Sequence, residues 1–215
     1  MKKWSEEIPI GVDITPSIKN VYTSVNFNVT EVEDGYEYES VTMTTEIPFT
    51  KENFDVVGMV VDALLDEGSV LPVSVVGEIA DLFTVGKNST NVINAARKML
   101  VANIEAYDLS DNVDSFTIRG MTMWLKVDER RQIATQITAN EEVGRTEMTR
   151  WFNGMDFTFP LTLWKYMLTT LEVYAGDAIN VTESHKAEAN TLTTYNALAG
   201  YDYTQGYPAK PVFNV

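Results

Sequence analysis

The chain has 215 residues, of which 45% are hydrophobic, with a net charge of −15 and no cysteine. That length and apolar content can bury a sizeable core, which excludes a disordered chain. The missing cysteine excludes disulfide staples, thiolate metal sites and a cysteine nucleophile, and an acidic chain with no basic stripe argues against nucleic acid as a partner.

The charge is uneven. Residues 1–90 hold 16 acidic and 5 basic side chains, a balance of −11, whereas residues 91–215 hold 15 and 11, a balance of −4. The shift suggests two parts, an acidic β-rich docking module over 1–90 and a helical domain over 91–215. The opening MKKWSEEIPIGVDI lacks an apolar h-region, so no signal peptide is expected. No uninterrupted apolar run reaches the length of a membrane span, so a soluble protein without a membrane partner is expected.

Residues 21–47 read as a β-hairpin with Asp34-Gly35 at its tip. A three-residue loop, Glu33-Asp34-Gly35, would pair Phe27 with Val41, Val25 with Met43 and Val21 with Ile47, gathering the apolar residues on one face. Glu31, Glu33, Asp34, Glu37 and Glu39 then form a solvated tip. Thr50 can cap a helix with Phe54, Val57, Val61, Leu64 and Leu65 inward, stopped by Gly68. A short apolar helix follows in LPVSVVGEIADLFTVG. Ser89 or Thr90 opens another, with Val92, Ala96, Met99, Leu100, Asn103 and Ile104 inward.

Ser115 to Val127 reads as one strand with a glycine in its middle, and Asp128 as the N-cap of a helix through Ile133 and Ile137 that fades near Gly144. Asn153-Gly154 marks a two-residue hairpin in which Phe152 faces Met155, with Phe157 and Phe159 on one side. From Leu161 a helix of almost forty residues is expected. Its seam is Leu161, Trp164, Leu168, Leu171, Ala175, Ala178, Thr182, His185, Ala189, Leu192 and Asn196. Its weak second half favours packing against the preceding helix as a hairpin. Gly200 ends it, and Tyr201, Tyr203 and Tyr207 lie in a Pro- and Gly-containing closing strap. The fold class is therefore α+β: an N-terminal β-hairpin or small sheet with helices, then a long helical hairpin with a short β-hairpin insert.

Catalytic motifs are missing. His185 is the only histidine, and Glu183, two residues away, does not share its helix face. A packed or hydrogen-bonded histidine is expected rather than a catalytic one. Asp108, Ser110, Asn112 and Asp114 follow the first half of a calcium loop, but Val113 stands where glycine is needed and Arg119 where a bidentate glutamate is needed. No phosphate-loop, dinucleotide or nucleophile-elbow motif occurs. No enzyme activity, cofactor or metal is expected. Trp124, Trp151, Phe152 and Trp164 cluster in the C-terminal half, as core filling or as interface anchors.

The stretches IEAYDLSDNVDSFTIRGMTMWLKVDERR, GRTEMTRWFNGMDFTFPL, MLTTLEVYAGDAINVTESHKA and YDYTQGYPAKPVF, over about residues 93–213, resemble a domain family of unknown function. It occurs in tailed bacteriophages and prophages, especially of gut anaerobes, often at the C-terminus of tail-fibre-region proteins. The telling residues are Trp124-Leu125 with Arg130, Trp151 with Asn153-Gly154, Thr182 with His185, Tyr201-Asp202-Tyr203, and Gly206-Tyr207-Pro208. The resemblance implies that residues 91–215 are a phage tail-associated domain. It also implies a structural role in a virion, made in the host cytoplasm, with other virion proteins and further copies of itself as partners. A tail-fibre assembly chaperone and a host-surface glycan-binding accessory are the alternatives. Trp124, Trp151, Phe152, Trp164, His185, Tyr201, Tyr203 and Tyr207 are the expected interface or core anchors.

Overall fold

The structure, a computed structural model, describes residues 2–124, 126–152 and 154–215. Its strands and helices make an α+β architecture that clusters into two units. The first takes Met1–Ile104 and Lys186–Tyr203, the second Glu105–His185 and Thr204–Val215. The units part at residue 104 and not between 90 and 91, where the charge balance changes. The reason is burial: the helix opening at Thr90 places Val92, Ala95, Ala96, Met99 and Leu100 in the first core. Apolar burial outweighs surface charge in deciding which residues pack together.

The first unit begins with β1 (Lys2–Ser5), β2 (Val12–Pro16), β3 (Val21–Val32) and β4 (Gly35–Thr45), in the antiparallel order β1-β4-β3-β2. The β3–β4 hairpin is as expected, but its register is not. Val25 pairs with Val41 and Phe27 with Glu39, and the turn is Glu33-Asp34 between Val32 and Gly35. The strand β3 carries an irregularity of its own. Pairing shifts between Phe27 and Thr30, where Asn28 adopts φ 53° and donates its N–H to Glu78 Oε1 at 2.8 Å. The offset from the expected register is two residues, so every side chain keeps its face. Thr23, Val25, Phe27 and Val41 are buried as a result. Gly35 is needed because a Cβ there would lie 2.4 Å from the Ser5 carbonyl oxygen of β1.

Helices α1 (Val56–Asp66), α2 (Ser74–Leu82) and α3 (Thr90–Asp108) share one apolar core with that sheet, against which α1 and α2 pack. Asp55, not Thr50, caps α1, its Oδ1 accepting the Gly58 N–H at 3.1 Å. Thr50 is spent on an earlier turn, its carbonyl accepting from Phe54. Gly68 at φ 73° ends the helix, with Ser69 N–H returning to the Leu64 carbonyl. Val57, Val60, Val61, Val76 and Ile79 are fully buried, each contributing roughly 1.5–3 kcal/mol relative to exposure. Asn103 sits in the apolar stripe of α3 because its amide donates to the Leu71 and Met99 carbonyls, both at 2.8 Å.

In the second unit the expected strand 115–127 is a hairpin, β5 (Ser115–Ile118) and β6 (Met121–Trp124). Arg119 at φ 49° and Gly120 at φ 77° make the turn, with positive φ at both central positions. Helix α4 (Val127–Glu142) starts before Asp128, which therefore lies in its first turn and favours the helix dipole rather than capping. Then β7 (Glu147–Phe152) and β8 (Met155–Pro160) pair with Phe152 opposite Met155, as expected, and Phe157 and Phe159 are both buried. Asn153 and Leu125 lie outside the described residues.

Helix α5 (Leu161–Thr191) runs antiparallel to α4. Arg130 pairs with Glu172 at 2.9 Å and Lys165 with Glu141 at 2.5 Å, while Ile133 and Ile137 pack in one cluster with Trp164 and Leu171. This is the expected helical hairpin with a β insert. The seam breaks after Thr191, where Thr194 caps α6 (Tyr195–Ala199) by accepting the Ala197 N–H at 3.3 Å. Restarting the helix changes its phase, so Tyr195 and Leu198 are buried in the first unit and Asn196 is exposed. The chain ends in β9 (Val212–Phe213), parallel to β5.

Candidate functional site

The eight anchor candidates separate into buried, tied and exposed groups. Trp164 is 4% exposed and donates its indole N–H to the Met148 carbonyl at 2.9 Å. Phe152, half-buried, lies against the rings of Phe157 and Trp164, with the Arg150 guanidinium 5.3 Å from its ring centre. These two are core. Trp124 is 47% exposed although its indole N–H donates to Asp111 Oδ1 at 3.0 Å, and Trp151 is 68% exposed on β7. A large apolar ring in water is unfavourable by roughly 1.5–3 kcal/mol against its buried state. Those two side chains are the docking candidates of the second unit.

His185 is half-buried. Its Nε2–H donates to the Gln205 carbonyl at 2.9 Å, and its ring lies 5.9 Å from that of Tyr207. Thr182 Oγ1 lies 2.8 Å from Asp108 Oδ1 and 2.9 Å from the Tyr207 hydroxyl. The carboxylate can only accept, so Thr182 gives it its one proton and Tyr207 donates to Thr182. Burial raises the Tyr207 pKa above the usual phenol value. His185 and Tyr207 thus tie the strap to α5. In the first unit Tyr201 donates to Glu188 Oε2 at 2.9 Å, and Tyr201 and Tyr203 pack against the valine-rich core. All three strap tyrosines are structural.

The calcium-like spacing dissolves in three dimensions. Asp108 serves Thr182 and Asp111 serves Trp124, while Ser110 Oγ donates to the Tyr107 carbonyl. Among the described residues no group of three or more His, Asp or Glu is placed to hold a metal ion, and no helix is long and apolar enough to cross a membrane. What the loop does form is one wall of a cavity of about 540 Å³ in the second unit. Ala175, Ala178 and Ile179 of α5 line it together with Asp114, Lys126 and Arg130. The small seam residues that weaken the heptad pattern are what leave this space. Burial, with Asp108 and Asp111 nearby, raises the Asp114 pKa, although Arg130 opposes the shift.

Sequence reasoning passed over the segment before β3. Ile10, Ile14 and Ile18 are 70%, 40% and 99% exposed, on or beside the edge strand β2. The signal was present as isoleucine at every fourth position, flanked by Pro9 and interrupted by Pro16. No family model, no curated protein and no solved structure matches the chain.

Proposed function

We propose that the protein is a structural component of a tailed-bacteriophage virion, in the tail, fibre or head–tail connector region, acting through protein–protein assembly. The observation that carries an assembly role is the exposure of large apolar side chains on or beside β strands of both units: Ile14 on β2 with Ile10 and Ile18 beside it, Trp124 on β6 and Trp151 on β7. Such side chains are the usual anchors of interfaces, where a few buried aromatic or aliphatic groups supply most of the affinity. The resemblance of residues 93–213 to the phage domain family supplies the context. The partners are other virion proteins and further copies of the chain, without nucleic acid, membrane or cofactor.

Mass spectrometry of purified particles tests the proposal. A stoichiometric copy number supports it. Finding the protein only in lysate, bound to unassembled fibre, would replace it with the chaperone reading. Glycan-array binding lost on Trp151→Ala, in a protein missing from particles, would replace it with the glycan reading.

A further inference from the structure

The two edges of the first unit's sheet are built differently. The β1 edge carries Lys2 and Lys3, both exposed, and lysine on an edge discourages pairing with another strand. The β2 edge carries no lysine within Val12–Pro16 and is surrounded by exposed isoleucine. Its hydrogen-bonding phase can be read from the ladder. Asn26 N–H donates to the Gly11 carbonyl and Ser17 N–H to the Asn20 carbonyl, both at 2.7 Å. In an antiparallel pair the N–H and C=O of one residue point the same way and alternate along the strand. Gly11, Asp13, Thr15 and Ser17 therefore point theirs at β3, and Val12, Ile14 and Pro16 point theirs at the open edge. Proline fits there, because the N–H it lacks would face outward.

We infer that β2 is a self-association edge, on which a second copy of this chain pairs antiparallel about a twofold axis at Ile14. A twofold interface must be complementary to itself, and this segment is. With the axis at Ile14, Ile14 opposes Ile14 and Val12 opposes Pro16, while Ile10 precedes the strand and Ile18 lies in the turn that follows it. Both Ile14 residues present their N–H and C=O outward, so they exchange two hydrogen bonds. Each Val12 N–H reaches the Pro16 carbonyl of the second copy, adding two more. Val12, Ile14 and Pro16 share one face of the strand, so the Ile14 side chains of the two copies cover each other, with the exposed Ile10 and Ile18 just beyond the strand ends. Within Val12–Pro16 the only charged side chain is Asp13, which opposes Thr15, so no like charges meet along the paired strands. The two four-stranded sheets become one of eight strands. The inference goes beyond the virion reading and can fail separately from it, since it is decided in solution and not by a particle inventory.

The test is sedimentation equilibrium of the full chain in the micromolar range. The expected mass is twice the 24.1 kDa of one chain. Ile14→Pro removes an outward N–H without touching the β3 ladder, and Ile18→Lys places a charge at a side chain that is 99% exposed. Each should weaken dimerisation at least tenfold, about 1.4 kcal/mol or more, with an unchanged circular dichroism spectrum. Single cysteines read the register in this cysteine-free chain. Ile14→Cys should crosslink under mild oxidation, because directly opposed residues have Cα atoms about 5.5 Å apart, within disulfide reach. Ile18→Cys, the more accessible thiol, should not, because its own mate lies far along the strand. A monomer throughout the range, a dimer indifferent to Ile14→Pro and Ile18→Lys, or equal crosslinking from positions 14 and 18 would each overturn the inference.

Discussion

The two units reach stability by different packing. The first is mainly aliphatic: Val25, Val41, Val57, Val60, Val61, Val76, Ile79 and Leu64 outnumber the aromatic rings buried with them, Phe27, Phe49, Phe83 and Tyr195. The second is aromatic, with Phe157, Phe159, Trp164, Tyr174 and Phe213 among its buried residues. Many small, stiff β-branched side chains spread the energy of the first core thinly over many positions. A few large rings concentrate that of the second, and the two that carry a polar group have it satisfied, Trp164 by Met148 and Tyr174 by Val113. The second unit should therefore be the more brittle under single substitutions.

The sharpest way to break this comparison is Trp164→Ala. It should cost roughly 3–5 kcal/mol, the range for truncating a buried aromatic. Hydrogen exchange should lose protection across residues 127–175 while residues 56–66 keep theirs, and the reverse pattern would sink the comparison. Trp151→Ala, at a residue 68% exposed, should by contrast stay within about 0.5 kcal/mol of the parent. The aliphatic unit does have one position as exacting. A Cβ on Gly77 would meet the Tyr195 hydroxyl at 2.2 Å, so Gly77→Ala should cost about 1–3 kcal/mol through overpacking, read from denaturant midpoints. Next comes the helix start: Asp55→Ala should cost about 1 kcal/mol, whereas Thr50→Ala should cost much less. Equal effects would return the cap to Thr50.

The smallest effect is one of pH. Burial raises the Asp114 pKa, so the folded state holds its proton more tightly than the unfolded chain does. The stability this provides is present below the ordinary carboxylate pKa and is lost as pH rises through the raised one. Asp114→Asn should then raise the melting temperature at neutral pH, with the gain vanishing below the ordinary aspartate range. A gain that persisted in acid would point to a cause other than ionisation.

Much of this architecture can be read from residue pattern alone. Alternation in β3 and β4 sets which side chains face the core, and it survives the two-residue error in register because a strand's faces repeat every second residue. Three-to-four spacing identifies α1, α3 and α5, and Asn153-Gly154 marks a hairpin whose flanking register is the expected one. Single-residue backbone conformations escape such patterns. Asn28 and Arg119 at positive φ create the bulge and the β5–β6 turn, and neither residue type demands that conformation by itself.

The sequence by itself determined the α+β class, the apolar stripes, and a closing strap after the last helix. Those depend on periodicity and residue type, which are local properties. Only the tertiary structure decided that the units part at residue 104, that Trp164 is buried while Trp151 is exposed, and that Ile14 lies on an open sheet edge. Each of those depends on which distant segment covers a given face. Covering is set by the whole packed arrangement, and no window along the chain contains it.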